Sequence, residues 1–113
     1  MAFSKSFLYP EELRLISQIA FPLSYPGRLR ILLKLHTEGT LSVAEIAKDH
    51  PISAETLSGH LKILREAQLV TAEEHYPYTY YTIHEKNMMV AEKTLDSFFQ
   101  CWKATGQTDF SKD

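Results

Sequence analysis

Two helix-start signals lie eleven residues apart in the middle of the chain, and this spacing constrains the fold more than any other feature. Ser42 and Glu45 have the spacing of a capping box, in which each side chain bonds a free backbone N–H of the other residue. Ser53 is placed to cap a second helix that we expect to reach about Ala67. Two short helices joined by a tight turn, here at His50-Pro51, are typical of a helix-turn-helix.

Two further helices are predicted before this unit. Pro10-Glu11-Glu12 suits the first turn of a helix, because proline fixes φ and acids favour a helix N-terminus. The next helix is expected from about Pro26 to Glu38, with Gly39 placed to end it. On that helix we expect the basic residues to point away from an inward face formed by Leu29, Leu32, Leu33 and His36.

The pattern changes after the fourth helix. β-branched and aromatic residues over 70–74 and 79–83 flank a turn at 75–78, which predicts a hairpin. A last helix is expected from about residue 85 to 104. The predicted order is α-α-α-α-β-β-α, a mainly α fold with a β-hairpin wing. We expect a single domain over residues 1–105 and a polar, frayed tail over 106–113.

The fourth helix has two distinct faces. Leu57, Leu61 and Leu64 fall on one stripe at 100° per residue, which predicts a buried side. A helix fits the major groove of DNA, and its N-terminal residues reach the base edges. The candidate readers on the other sides are Glu55, Thr56, Ser58, Gly59 and Lys62. An ordinary solvated helix face would have the same composition.

Composition excludes several classes of protein. No apolar run approaches the roughly 20 residues of a membrane span, so no membrane partner is expected. The start of the chain lacks the features of a secretory signal, and a single cysteine fits a reducing compartment; we therefore expect a cytoplasmic protein. The net charge of -2 does not favour nucleic acid, because such binding is usually driven by basic side chains.

The last helix carries a stripe that is too large and aromatic to remain in water. Its members are Met88, Ala91, Leu95, Phe98, Phe99 and Trp102. Burial in the core of the same chain is one explanation. A partner helix is the other, and we favour it because the small domain already has many leucines.

The central part of the chain, residues 20–84, resembles the ArsR/SmtB-type winged-helix repressors without a gap. The residues that carry the resemblance begin with Tyr25-Pro26-Gly27-Arg28, at the start of the family's second helix. Residues 41–47 are similar to its third helix, residues 52–70 to its recognition helix, and residues 80–83 to its second wing strand.

The resemblance implies a homodimeric repressor that reads a pseudo-palindromic operator in duplex DNA. It adds Ala54 to the positions that face the bases. It also implies that the first and last helices form the dimer interface, and it allows a small-molecule effector. The interface residues expected here are Leu13, Ile16, Met88, Ala91, Leu95, Phe98, Phe99 and Trp102.

The chain departs from the family's metal sensors. Its third helix has no cysteine pair, and soft metals need thiolates. The last-helix region offers only His84, Glu85, Glu92 and Asp96, a poor set for a metal that favours histidine or thiolate. We therefore expect metal-independent regulation without a cofactor. A metal- or redox-responsive repressor is the alternative within the family, although Cys101 is expected to be inert and half-buried.

The predicted DNA-facing surface is acidic. Between residues 42 and 83 there are three basic and six acidic residues, and the wing carries Glu73 and Glu74 where the family commonly has arginines. We expect weak non-specific binding, with phosphate contacts from Arg28, Arg30, Lys34, Ser42, Ser53 and Tyr78. A protein-interaction module with an acidic wing is the alternative function. An enzyme is not expected, since no catalytic motif is present.

Overall fold

The computed structural model describes the backbone of residues 9–109 and the side chains of residues 9–106. The helices are α1 (Glu11–Ala20), α2 (Pro26–Glu38), α3 (Val43–Ala47), α4 (Ala54–Glu66) and α5 (Glu85–Asp109). The strands are β1 (Leu41–Ser42), β2 (Val70–His75) and β3 (Tyr78–Ile83). A short 3-10 helix, Phe21–Leu23, follows α1. The predicted order of helices and hairpin is confirmed, with one added strand.

The predicted helix signals have the expected geometry. The Ser42 hydroxyl accepts from the Glu45 N–H at 3.2 Å, and the Glu45 carboxylate accepts from the Ser42 N–H at 2.8 Å. The Ser53 hydroxyl accepts from the Thr56 N–H at 3.2 Å and so caps α4. Gly39 ends α2 at φ 87°, a conformation that favours glycine. These local bonds fix the positions at which the helices start and end.

The wing belongs to a three-stranded antiparallel sheet in the order β1-β3-β2. The register pairs Val70 with Ile83, and both side chains are buried against the helices. Strand β1 was missing from the sequence prediction because two residues are too few for a periodic pattern. It anchors the start of α3 to the wing through the pairing of Leu41 with Tyr81.

The core lies between α2, α3, α4 and the base of the sheet. Leu57, Leu61 and Leu64 of α4 are completely buried, as their spacing predicted. The other buried hydrophobic residues are Ile31, Leu32, Leu35, Leu41, Ile46, Leu69, Val70, Ile83 and Ala91. The helix-turn-helix is thus fixed from behind by apolar packing.

The predicted inward face of α2 was wrong except at Leu32. Leu33 is 66% exposed, and Leu29 and His36 are exposed as well. The buried residues of this helix are Arg28, Ile31, Leu32 and Leu35. Leucine and isoleucine occur nearly all round α2, so periodicity alone allowed two faces. Arg28 lies on the buried side, where its guanidinium donates to the Pro22 carbonyl oxygen.

Helices α1 and α5 pack against each other as an arm that extends from the core. No residue of α1 is buried, and Ala91 is the one buried residue among the described side chains of α5. The described residues measure 58 × 34 × 26 Å, and their radius of gyration is 17.2 Å. A compact chain of this length would have a radius of about 13 Å. The arm makes the single chain elongated.

Helix α5 continues to Asp109, beyond the predicted end near residue 104. The expected tail is therefore helical over its first residues, and residues 110–113 lie outside the described part of the chain. In the part that the structure describes, no helix has the length and apolar character needed to cross a membrane.

Candidate nucleic-acid interface

Helix α4 presents a polar surface opposite its buried leucines. The exposed residues include every predicted base reader, namely Ala54, Glu55, Thr56, Ser58, Gly59 and Lys62. The N-terminus of the helix is fixed by the Ser53 cap, whose hydroxyl also donates to Thr56 Oγ1 at 3.1 Å. The structure thus brings together donors and acceptors of the kind that read a major groove, with five of the six positions in the N-terminal half of α4 and Lys62 one turn later.

Gly59 is an exposed glycine in the interior of α4. A Cβ atom built at this position would meet no protein atom within 4 Å. Glycine inside a helix costs about 1 kcal/mol relative to alanine, and packing within the described chain gives no reason for it here. The missing side chain leaves the backbone open to close approach from outside.

Arg28 does not lie on this surface. It is 6% exposed, and its guanidinium donates to the carbonyl oxygens of Pro22 and Phe21 at 2.7 and 3.2 Å. The same group also contacts His60 Nδ1 at 3.0 Å and Ser24 Oγ at 3.4 Å. We remove Arg28 from the expected phosphate contacts, because its donors are already used inside the protein.

Lys34 is occupied as well. Its ammonium group lies 2.6 Å from the Asp49 carboxylate, and its side chain is 12% exposed. The hydrogen bond from Lys34 holds the pKa of the Asp49 carboxyl below its usual range. Arg30 is exposed, but it donates to the Asp49 carbonyl oxygen at 2.6 Å. Both cations fasten the loop after α3, so Lys34 is also removed and Arg30 is a weakened candidate for phosphate binding.

The hydroxyl candidates divide in the same way. Ser42 is buried and engaged in the capping box, so its hydroxyl is removed from the phosphate contacts. Ser53 and Tyr78 are exposed and stay in the proposed set. Lys48, at the end of α3, is an exposed cation that the sequence prediction did not assign to phosphate. Its place at the turn of the helix-turn-helix is the signal that could have identified it.

His60 is half-buried and stacks on the Tyr25 ring, with ring centroids 4.5 Å apart and planes at 19°. Burial, followed by the charge of Arg28 and by His50, lowers the pKa of His60. The prediction that this histidine is packed rather than base-reading agrees with these contacts.

The wing has an outer face without lysine or arginine, because residues 70–83 contain neither. The Glu73 carboxylate lies 3.3 Å from His75 Nε2. The rings of Tyr78 and Tyr80 meet edge to face, 6.4 Å apart. Tyr76, at the turn, is 98% exposed. The wing thus carries aromatic and acidic groups where a phosphate-binding wing carries cations.

The arm exposes half of the residues that were expected in a dimer interface. Leu13, Phe98, Phe99 and Trp102 are exposed, and Ile16, Met88 and Leu95 are half-buried. Ala91 is instead part of the chain's own core, because α5 crosses the base of the domain at this residue. A cavity of about 200 Å³ opens between α1 and α5 beside Leu13 and Phe98.

The side chains that could bind a metal are scattered over the described part of the chain. Within the described side chains, no three His, Cys, Asp or Glu residues lie together in a group able to hold a metal ion. The sequence has one cysteine, Cys101, so a single chain supplies no pair of thiolates. Cys101 is exposed rather than half-buried as predicted, since it lies beside the apolar stripe of the arm and not under it.

A leucine-anchored helix that presents polar residues beside a hairpin wing defines the winged helix-turn-helix class of DNA-binding domains. The profile of the family described as "Bacterial regulatory protein, arsR family" matches residues 25–72. The arsenical resistance operon repressor of Bacillus subtilis is 31% identical over 78 residues, which are 69% of this chain and 74% of that protein. The chain belongs to the ArsR family and is a transcriptional regulator with a winged helix-turn-helix DNA-binding domain.

Known structures agree with this assignment. The crystal structure of a "possible transcriptional regulator for arsenical resistance" is similar at 30% identity with a TM-score of 0.67, covering 73% of this chain and 83% of that one. The homodimeric winged helix-turn-helix DNA-binding domain of a Mycobacterium bovis protein has a TM-score of 0.59 at 23% identity. It covers 100% of this chain and 96% of that one. The predicted family resemblance and fold class are confirmed.

Proposed function

We propose that the protein is a metal-independent, homodimeric repressor that reads a pseudo-palindromic operator through α4. The observation that carries this proposal is the exposed N-terminal half of a helix that is locked from behind by three completely buried leucines. Such a helix can enter a major groove without rearranging its own domain. The name of the Bacillus subtilis relative, a repressor, supports the direction of regulation.

Gly59 supports close contact between α4 and a ligand. The position costs helix stability and relieves no crowding among the described residues, so its benefit lies outside the protein. On the bound duplex, Gly59 would let the helix backbone approach the floor of the groove. Thr56 and Ser58 would then offer hydroxyls to base edges or phosphates, and Lys62 would reach guanine or phosphate.

The homodimer is supported by the arm. Leu13, Phe98 and Phe99 are exposed in the described chain, and the Mycobacterium bovis neighbour is named as homodimeric. Pairing of the α1–α5 arms of two chains would bury Leu13, Phe98 and Phe99. It would also place two copies of α4 on one face, so that each reads one half-site about one helical turn from the other.

The proposed metal independence rests on the metal-binding side chains that the chain lacks. The expected weak non-specific binding of DNA rests on the charge of the surface. The α3 segment has no thiol, and the wing has no cation. Phosphate contacts are left to Lys48, Lys62, Ser53, Tyr78 and backbone N–H groups at helix starts, with Arg30 as a weaker candidate because it also bonds Asp49. A short set of contacts predicts a shallow dependence of affinity on salt concentration.

The test is an in-vitro selection on random duplex DNA, followed by measurement of affinity for the enriched sequence as a function of salt. We expect an inverted repeat and a salt slope that corresponds to only a few phosphates per protomer. Adding zinc or copper should leave the affinity unchanged. A folded dimer that enriches no sequence would contradict operator reading.

Gly59→Ala gives a sharper test because stability and binding should move in opposite directions. We expect the free energy of unfolding of the variant to be about 1 kcal/mol higher, since alanine favours a helix. Its operator affinity should fall about tenfold or more, because a methyl group would then face the DNA. Glu66→Ala, at the exposed far end of the same helix, is the matched control and should retain wild-type affinity.

A second candidate function is a protein-interaction module that uses the wing. The observation that favours it is the fully exposed Tyr76 beside the acidic outer face. Tyr76→Ala separates the two candidates. Unchanged operator affinity together with lost regulation in cells would assign the wing to a protein partner.

A further inference from the structure

Arg28 connects two parts of the molecule that the proposed function uses separately. Its guanidinium donates to the carbonyl oxygens of Phe21 and Pro22, in the 3-10 helix at the foot of the arm. The same guanidinium lies 3.0 Å from Nδ1 of His60, on the recognition helix α4. One buried cation therefore ties the base of the arm to the helix that carries the base-reading residues.

The contact selects one tautomer of the neutral His60 imidazole. Arginine has only donors, so Nδ1 must accept and the single imidazole proton must lie on Nε2. A second proton, on Nδ1, would place two donors and two positive charges against each other. Burial and the nearby Arg28 already hold the pKa of His60 below the 6.5 of a free imidazole, so His60 takes this proton only on acidification.

The groups packed around His60 offer no compensation for a second charge. The Tyr25 ring stacks on one face of the imidazole, and Gly27 leaves room for that ring, since a Cβ there would lie 2.8 Å from Tyr25 Cε2. His50 lies nearby, with Nε2 donating to the Gly27 carbonyl oxygen at 3.3 Å. Within residues 9–106, no carboxylate is bonded to His60 or to His50.

We propose that the Arg28–His60 hydrogen bond is a proton-sensitive tie that holds the recognition helix in its DNA-reading position. When His60 is protonated, this hydrogen bond breaks and α4 is no longer held in position relative to the arm. Operator affinity then falls. This inference rests on the proposed function for its DNA readout, but the opening of the tie can be measured without DNA.

The expected sign is opposite to that of a simple charge effect. A proton gained on a surface that faces DNA adds positive charge beside the phosphates, which strengthens binding. Opening of the tie lowers the fraction of protein that can bind, and the apparent dissociation constant rises by the inverse of that fraction. The two effects can therefore be separated by the direction of the change.

His60→Asn is the informative variant. The asparagine Oδ1 replaces Nδ1 as an acceptor for Arg28 at every pH, and the two residues have similar helix propensity. We would measure operator affinity at constant salt between about pH 7.5 and about pH 5.5, where a free histidine changes charge. His36→Asn, at an exposed histidine remote from α4, is the matched control.

The wild-type protein and His36→Asn should bind more weakly at the acidic end of this range, by up to about tenfold per pH unit, which is the limit for linkage of binding to one proton. His60→Asn should be insensitive to pH and should match the wild type at neutral pH. The inference fails if His60→Asn keeps the wild-type loss, or if wild-type affinity does not fall while the His60 imidazole titrates by NMR.

A second readout does not use DNA. Acidification should shift the backbone amide resonances of α4 in the wild type but not in His60→Asn. If a folded dimer binds no DNA at any pH, the proposed function fails. The α4 resonances still show whether the Arg28–His60 hydrogen bond breaks on acidification. Unchanged α4 resonances during His60 titration would overturn it.

Discussion

The helix-turn-helix and the arm are both rich in apolar residues, but they bury them differently. Leu57, Leu61 and Leu64 of α4 are completely covered by their own chain. In the arm, Phe99 is 52% exposed, and no residue of α1 is buried. Apolar content alone therefore does not determine whether a residue is buried by its own chain or by a partner chain. A second copy of the chain would supply it for the arm.

This difference predicts two kinds of stability. Packing within one chain contributes a free energy of unfolding that does not depend on protein concentration. Packing between two chains contributes more as the concentration rises, because association is linked to folding by mass action. Substitutions in the two regions should separate these behaviours.

Phe99→Glu should have the largest effect. A carboxylate in the apolar stripe of the arm would be buried without a partner on dimerisation, so we expect a monomer in sedimentation at micromolar concentration. Operator affinity should fall by about a hundredfold or more, because the two half-sites would no longer be bound together. The fold of the single chain should be retained in its circular dichroism spectrum.

Gln100→Glu is the control for this change. It adds the same charge one residue away, on an exposed side of α5 that points away from the stripe. It should remain a dimer. A dimeric Phe99→Glu protein would remove the stripe from the interface and would abolish the contrast between the two regions.

Leu61→Ala and Leu13→Ala make the same substitution in the core and in the arm, and so compare the two kinds of stability directly. Leu61 is completely buried, so its truncation should lower the free energy of unfolding by about 2–5 kcal/mol at any protein concentration. Leu13 is exposed on α1, so its truncation should weaken the dimer and lower the melting temperature mainly at high concentration. Urea and thermal unfolding at two concentrations would measure both. Equal concentration dependence in the two variants would contradict this division.

The local signals in the sequence predicted much of the fold. The Ser42–Glu45 box, the Ser53 cap and the α4 leucines all act within one or two turns, and the structure contains each of them. Local hydrogen bonds and helical periodicity are visible in sequence because their partners are a few residues apart. The exposed candidate readers on α4 followed from the same periodicity.

The errors came from partners that are distant in the chain. Arg28 was predicted to bind phosphate, but its guanidinium donates to the Phe21 and Pro22 carbonyl oxygens and to His60, which is 32 residues away on α4. Lys34 is paired with Asp49, 15 residues later. A sequence does not show which groups a basic side chain contacts, so the number of basic side chains available for DNA was overestimated. The face of α2 was wrong because apolar residues occur on two sides of that helix, and the side that carries Ile31 and Leu35 is the one that packs in the core.

The smallest predicted effect concerns the helix caps, which also differ between the two regions. Helix α4 starts with the Ser53 side-chain cap, whereas Pro10 before α1 makes no side-chain cap bond. Ser53→Ala should lower the free energy of unfolding by about 1 kcal/mol, independently of concentration, because the Thr56 N–H loses its acceptor. Ser53→Asn keeps an acceptor at this position and should restore most of the loss in urea unfolding. If alanine costs nothing, the start of α4 is held by its leucines alone, and the helix-turn-helix is then as poorly capped as the arm.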